Sequence, residues 1–147
     1  MKTNPYVKKA FPFPFIFEEL VPIRPQYRQM FGFTYVYLDQ KLLLSLRNNV
    51  KQPATNGIWI YTSTEHLESL AKEFPQLPRR QLWRSGKNAW LVLATRLEDF
   101  EEYAFKVCEL ILRGDQRIGR ITRGGRASRN AKTGRRTSKW AATLISG

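Results

Sequence analysis

Residues 28–47 read RQMFGFTYVYLDQKLLLSLR: apolar positions alternate, break at a short polar step, and return as a leucine-rich run. Alternation at period two marks a pleated strand with two distinct faces. The passage therefore predicts a β-hairpin at the centre of a small antiparallel sheet. In its first arm Phe31, Phe33, Tyr35 and Tyr37 share one face, and Gly32, Thr34, Val36 and Leu38 share the other. Asp39, Gln40 and Lys41 supply the turn, and 42–47 is the return strand. The aromatic face has two readings: a core surface packed under helices, or a platform on which unpaired bases stack. An α+β sheet must bury one face, which favours core, and burial separates the two.

Either side of this hairpin the pattern changes period. Residues 1–10 read as a loose arm. A short helix is expected over 15–20, entered near Pro14, because proline fits a first helical turn. Pro22 and Pro25 then impose an extended connection. After a polar loop ending in Asn56-Gly57, residues 58–62 (IWIYT) predict a third strand. Thr62 and Glu65 have capping-box spacing before a helix whose stripe is Leu67, Leu70, Ala71 and Phe74, stopped by Pro75. Residues 81–84 and 90–93 predict two more strands around a Ser85–Asn88 turn. Thr95 and Glu98 repeat the capping-box spacing before a last helix with Phe100, Tyr103, Ala104, Val107, Cys108 and Ile111 inward and Gly114 as its C-cap. The expectation is an α+β fold: a two-layer, five-stranded antiparallel sheet covered by helices, in the order α-β-β-β-α-β-β-α.

Charge alters this picture at one end. The 147 residues carry 25 Lys and Arg against 12 Asp and Glu, a net +13. Residues 113–147 hold ten of those bases and one acid. Basic residues fall at every third position, at Arg117, Arg120, Arg123, Arg126, Arg129, Lys132 and Arg135, with Arg136 and Lys139 beyond. A helix turning about 100° per residue would wind a three-residue period around its surface, so the period suits extended chain. With Gly119, Gly124, Gly125 and Gly134 disfavouring helix and almost nothing apolar to bury until Trp140, 117–147 is expected to be a disordered basic tail, with 140–145 a short helix or docking segment. The division is thus an arm (1–10), a folded domain (11–116) and a tail (117–147). Such a tail neutralises phosphates without reading bases, or else only aids solubility.

Other chemistry is sparse. His66 is the single histidine and Cys108 the single cysteine. His66 lies off the helix stripe and reads as an exposed polar residue, and Cys108 as a small buried hydrophobe in a reducing compartment. Glu98, Asp99, Glu101 and Glu102 suit the positive end of a helix and need no metal to explain them. Arg113-Gly114-Asp115 reads as a helix cap and loop. Arg24, Arg28 and Arg47 are a conceivable anion pocket with Arg84 or Lys87, against a default of scattered surface charge. No phosphate-binding glycine loop is present, and no catalytic, cofactor or metal residues are expected. No apolar run reaches the roughly 18 to 20 residues of a membrane span. Pro12, Pro14, Glu18 and Glu19 break up a stretch with a superficial likeness to an export signal, so a cytoplasmic protein is expected.

The order of elements carries a resemblance. FPFPFIFEELVPIRPQYRQMFG, a hairpin, NGIWI, a helix, a strand pair and DFEEYAFKVCEL together resemble the N-terminal domain of TfoX-like proteins and, more distantly, YjbR-like proteins. Met30-Phe31-Gly32 is the sharpest local match, and the resemblance covers roughly 11–120. It implies a two-layer fold like that of secretion chaperones, with no catalytic residues to carry across. TfoX proteins are associated with regulation of natural competence; here a basic tail follows where TfoX has a second folded domain. The sequence therefore points to a non-enzymatic, regulatory TfoX-like module. Its basic arm, Arg117 to Lys139, would bind DNA, RNA or another polyanion without sequence specificity, and the folded domain would meet a protein partner or a second copy. The alternative is a chaperone-like protein-interaction module with an incidental tail. An enzyme with an unseen site is a third possibility, for which a deep pocket with convergent polar groups would be the sign.

Overall fold

The structure, a computed structural model, describes residues 12–48 and 56–121. The expected α+β class holds; among the described residues every strand pair is antiparallel, and the sheet has seven strands and not five. In chain order the elements are α1 (Pro14–Glu19), β1 (Gln26–Met30), β2 (Phe33–Leu38), β3 (Lys41–Arg47), β4 (Gly57–Ser63), α2 (Leu67–Ala71), β5 (Leu82–Ser85), β6 (Asn88–Ala94), α3 (Phe100–Leu112) and β7 (Arg120–Ile121). They line up as β1-β2-β3-β4-β6-β5, with β7 pairing β3.

Both additional strands were hidden by their composition. β1 pairs with β2 from Gln26↔Tyr37 to Met30↔Phe33, but as a largely exposed strand it lacks apolar alternation. Phe31 and Gly32, expected inside a strand, are instead the two-residue turn of a hairpin, with φ of 57° and 79°. Two positive φ values are the pattern of a type I′ turn, which matches the twist of the flanking strands and normally calls for Asn or Gly. Phe31 is 56% exposed there. β7 is only two residues long and lies within the basic period.

The cross-strand rows sort side chains by kind. Val36, Leu44, Ile60, Leu91 and Leu82 form one row across β2, β3, β4, β6 and β5. These aliphatic residues pack against Ile16, Leu20, Leu67, Leu70, Phe74, Ala104, Val107 and Cys108 from the helical layer. The opposite rows hold Tyr35, Ser45, Trp59 and Val92, and then Tyr61, Trp90 and Trp83. Phe33, Tyr35, Tyr37, Leu42, Trp59, Tyr61, Trp90 and Val92 form a second cluster, built of strand residues alone. A register shift between Val36 and Tyr37 leaves Leu43 without a cross-strand partner; this bulge lets Leu43 and Leu44 both join the helix-side core while Leu42 turns to the aromatic side.

The aromatic face is thus core, as expected, but on the side away from the helices. Phe33, Tyr35 and Tyr37 are no more than 9% exposed. Phe31 is the exception and belongs to the turn. Arginines lie over three of these rings: Arg47 over Phe33 at 5.0 Å, Arg120 over Tyr61 at 5.0 Å and Arg28 over Tyr37 at 6.0 Å. Ser45 and the Tyr61 hydroxyl satisfy one another at 2.8 Å in the middle of the face.

The helix stripes appear where the periodicity puts them, with Leu67, Leu70 and Phe74 buried from the second helical segment and Tyr103, Ala104, Val107, Cys108 and Ile111 buried on α3. Neither capping box forms. Thr62 stays in β4 opposite Ala89, and α2 starts at Leu67 after His66, whose N–H donates to Ser63 Oγ at 3.3 Å. A cap is worth about 1 kcal/mol, less than the roughly 1.5–3 kcal/mol from burying one large apolar side chain. Extending β4 so that Tyr61 enters the aromatic rows therefore wins. α3 likewise begins at Phe100 after Asp99 without a side-chain cap.

Two variants test this architecture. Gly57 lies so close to β6 that a Cβ there would fall 2.1 Å from the Leu93 carbonyl oxygen. Gly57→Ala is expected to cost more than about 1 kcal/mol in denaturant unfolding, and an unchanged midpoint would contradict the β4–β6 spacing. Phe31→Asn is expected to raise stability by about 0.5–1 kcal/mol, because the turn prefers Asn and little burial is lost. A fall would show that Phe31 packs against something.

Candidate nucleic-acid interface

Of the nine basic residues assigned to a tail, the first two belong to the fold. α3 closes with the Gly114 N–H donating to the Ile111 carbonyl (2.9 Å) and the Asp115 N–H to the Leu110 carbonyl (3.0 Å), the paired bonds of a Schellman cap. Arg117 then folds back. Its backbone N–H and Nε donate to Asp115 Oδ1, both at 2.9 Å, and Nη2 donates to Asp115 Oδ2 at 2.7 Å. Nη2 also reaches Glu73 Oε2 at 2.8 Å, and Nη1 reaches the Ser69 carbonyl and hydroxyl at 3.0 and 2.9 Å. Lys106 takes the other Glu73 oxygen at 3.4 Å. One guanidinium thus ties the end of α3 to α2.

The next four residues complete the sheet. Ile118 is buried, the Gly119 N–H donates to the Tyr61 carbonyl at 2.7 Å, and Arg120 pairs with Leu42 while its guanidinium covers Tyr61. The folded unit therefore runs to Ile121 and does not end at 116. Arg117 is neutralised by two carboxylates and Arg120 is held over a ring, so neither is an arm residue. Arg123, Arg126, Arg129, Lys132, Arg135, Arg136 and Lys139 lie outside the described residues, as do the N-terminal arm and 140–145.

The proposed anion pocket does not assemble. Arg28 is on β1 and Arg84 on β5, at opposite ends of the sheet, and Arg47 lies over Phe33. Cys108 is fully buried, and that burial pushes its thiol up to about 12. Among the described residues no group of three or more His, Cys, Asp or Glu is placed to hold a metal, and no helix is long and apolar enough to cross a membrane. A cleft of about 370 Å³ is lined by Pro12, Gln29, Met30, Gly32, Phe33, Thr34 and Asn48, with no ionisable side chain among the described residues. A second, of about 210 Å³, contains Asp115, which is committed to Arg117.

One surface feature escaped the sequence reading. The run RRQLWRSGK, 79–87, in which the pattern predicts a strand over 81–84 and a turn from Ser85, holds four bases and no acid. It folds as a short turn, Arg79–Gln81, followed by β5 and the Gly86-Lys87 turn. Arg79 grips Glu68 with both Nη atoms, at 2.8 and 2.9 Å, and Arg84 adds a bond to the same carboxylate at 2.8 Å. The two arginines hold the Glu68 carboxyl down to about 2. Arg79, Arg80, Arg84 and Lys87 all remain exposed, and Trp83 stands 45% exposed among them.

The Arg117 clasp gives a pH prediction. Its hydrogen bonds hold Asp115 down to about 2 from an ordinary 3.8. A depressed carboxylate contributes stability above its unfolded value and loses it as pH falls through the folded one. Wild-type stability should therefore drop between about pH 4 and 2. Arg117→Ala should be less stable by about 1 kcal/mol at neutral pH with a flatter acid limb, read by chemical denaturation at each pH. A variant with an acid limb as steep as wild type would show that the clasp is not the cause. Comparisons with protein-family models, curated proteins and solved structures found no match to this chain.

Proposed function

We propose that this chain is a non-enzymatic, cytoplasmic regulatory module of the TfoX-like kind, whose basic arm binds nucleic acid or a similar polyanion without reading sequence. The observation that carries this is the segregation of charge at the boundary of the fold. After Ile121 come seven basic side chains and no acidic one in 26 residues. Before it, Arg117 is spent on Asp115 and Glu73. The arm that binds thus starts at Arg123, and its cations release counterions from phosphates. The TfoX-like reading rests on the sequence resemblance over roughly 11–120; the sheet carries β1 and β7 beyond the five strands it implies.

A second reading is supported by the β5 edge, where exposed Trp83 adjoins a strand side without a partner among the described residues. There the domain would accept an extended protein segment as an added strand, in the manner of chaperone-like modules.

The test uses the full chain and a variant with Arg123, Arg126, Arg129, Lys132, Arg135, Arg136 and Lys139 all changed to Gln. Wild type should bind duplex DNA with affinity falling by roughly 10³ between 50 and 200 mM salt if six or seven phosphates are contacted. The variant should lose most of that affinity and its salt dependence. Equal binding by the two proteins would refute the assignment of the arm.

A further inference from the structure

We propose that the outer edge of the sheet at β5 is a second nucleic-acid contact, selective for single strands, with Trp83 stacking an unpaired base between flanking cations. The inference rests on the polyanion reading above but on different residues. Trp83 projects from a strand, and its row continues inward through the buried Trp90 and Tyr61. Trp83 is therefore the outermost ring of a cross-strand row whose inner members are buried. The indole is 45% exposed, and a base would cover it.

Charge in the segment that carries it is of one sign. No acidic residue occurs between Phe74 and Leu97. Glu68 reaches the patch, where Arg79 and Arg84 share it and are fixed in position by it. Both guanidiniums stay open to solvent, with side-chain exposures of 70% and 48%, and Arg80 and Lys87 are exposed at the two ends of β5. Trp83 shares the face of Trp90, whereas Arg84 meets Glu68 of α2 on the helix side. A ligand lying along the edge would meet both. Charged side chains alone would explain protection of a bare edge against pairing with another chain, but an exposed tryptophan beside them does the opposite. Duplex DNA hides its base faces; a single strand offers them to an aromatic ring, while the phosphates meet cations.

The test measures binding of fluorescein-labelled (dT)15 and of a duplex of equal length to the full chain. Trp83→Ala should weaken (dT)15 binding about fivefold or more, leave the duplex affinity within twofold, and leave the salt dependence unchanged. Trp83→Phe should keep most of the single-strand affinity, and unchanged circular dichroism would show the fold intact. Unaltered (dT)15 binding by Trp83→Ala, or equal losses on both nucleic acids, would overturn the proposal. So would an acidic extended peptide that binds the edge in preference to (dT)15. In the arm-neutralised full chain the Trp83 effect should persist. If arm neutralisation abolishes binding and Trp83→Ala changes nothing, the edge inference fails alone; the converse removes only the arm.

Discussion

The central strands are buried on both faces, and this constraint decides most of what the rest of the chain does. β3, β4 and β6 each have strand neighbours on both sides, and all but their end residues are buried. Such strands cannot alternate polar with apolar; they alternate two kinds of apolar residue. Branched aliphatic side chains meet the helices, where close packing into grooves rewards shape. Aromatic rings lie on the other side, where flat surfaces stack on one another and carry arginines over them. Two of the polar groups admitted, the Ser45 and Tyr61 hydroxyls, pair with each other.

That constraint explains why the chain does not stop when α3 ends. β3 is longer than the part paired with β4, so Lys41 and Leu42 have open backbone until β7 pairs with them. The segment 114–121 supplies that strand, and Arg117 holds it in place against α2. A basic residue beside the tail thus serves the fold. The cations from Arg123 onward are the ones proposed to meet a polyanion.

Much of this was legible in the sequence, for reasons that also explain the failures. Buried elements announce themselves by period, and so the central strands, the helix stripes and the Gly114 cap were placed correctly. β1 is exposed, so QYRQM carries no period, and the Phe31-Gly32 turn uses a residue the turn type disfavours. Arg117 looked like its neighbours because its partner Glu73 lies 44 residues away; spacing along the chain carries no trace of that contact. The aromatic alternation was read correctly as core, but parity alone does not say which face the helices take. Trp83 shows the same blindness: an aromatic residue in a strand looks alike whether the strand is central or at the edge.

The fold and the proposed function meet in a division between a sheet sealed at its centre and cations placed at its margins. Hydrogen exchange read by mass spectrometry on the full chain, alone and with (dT)15, tests that division directly. The account predicts that amides of β3, β4 and β6 exchange slowest in both states, and that the oligonucleotide adds protection at 79–88 and after 121. Amides of β4 exchanging as fast as those of β5, or oligonucleotide protection centred on the buried aromatic rows, would contradict it.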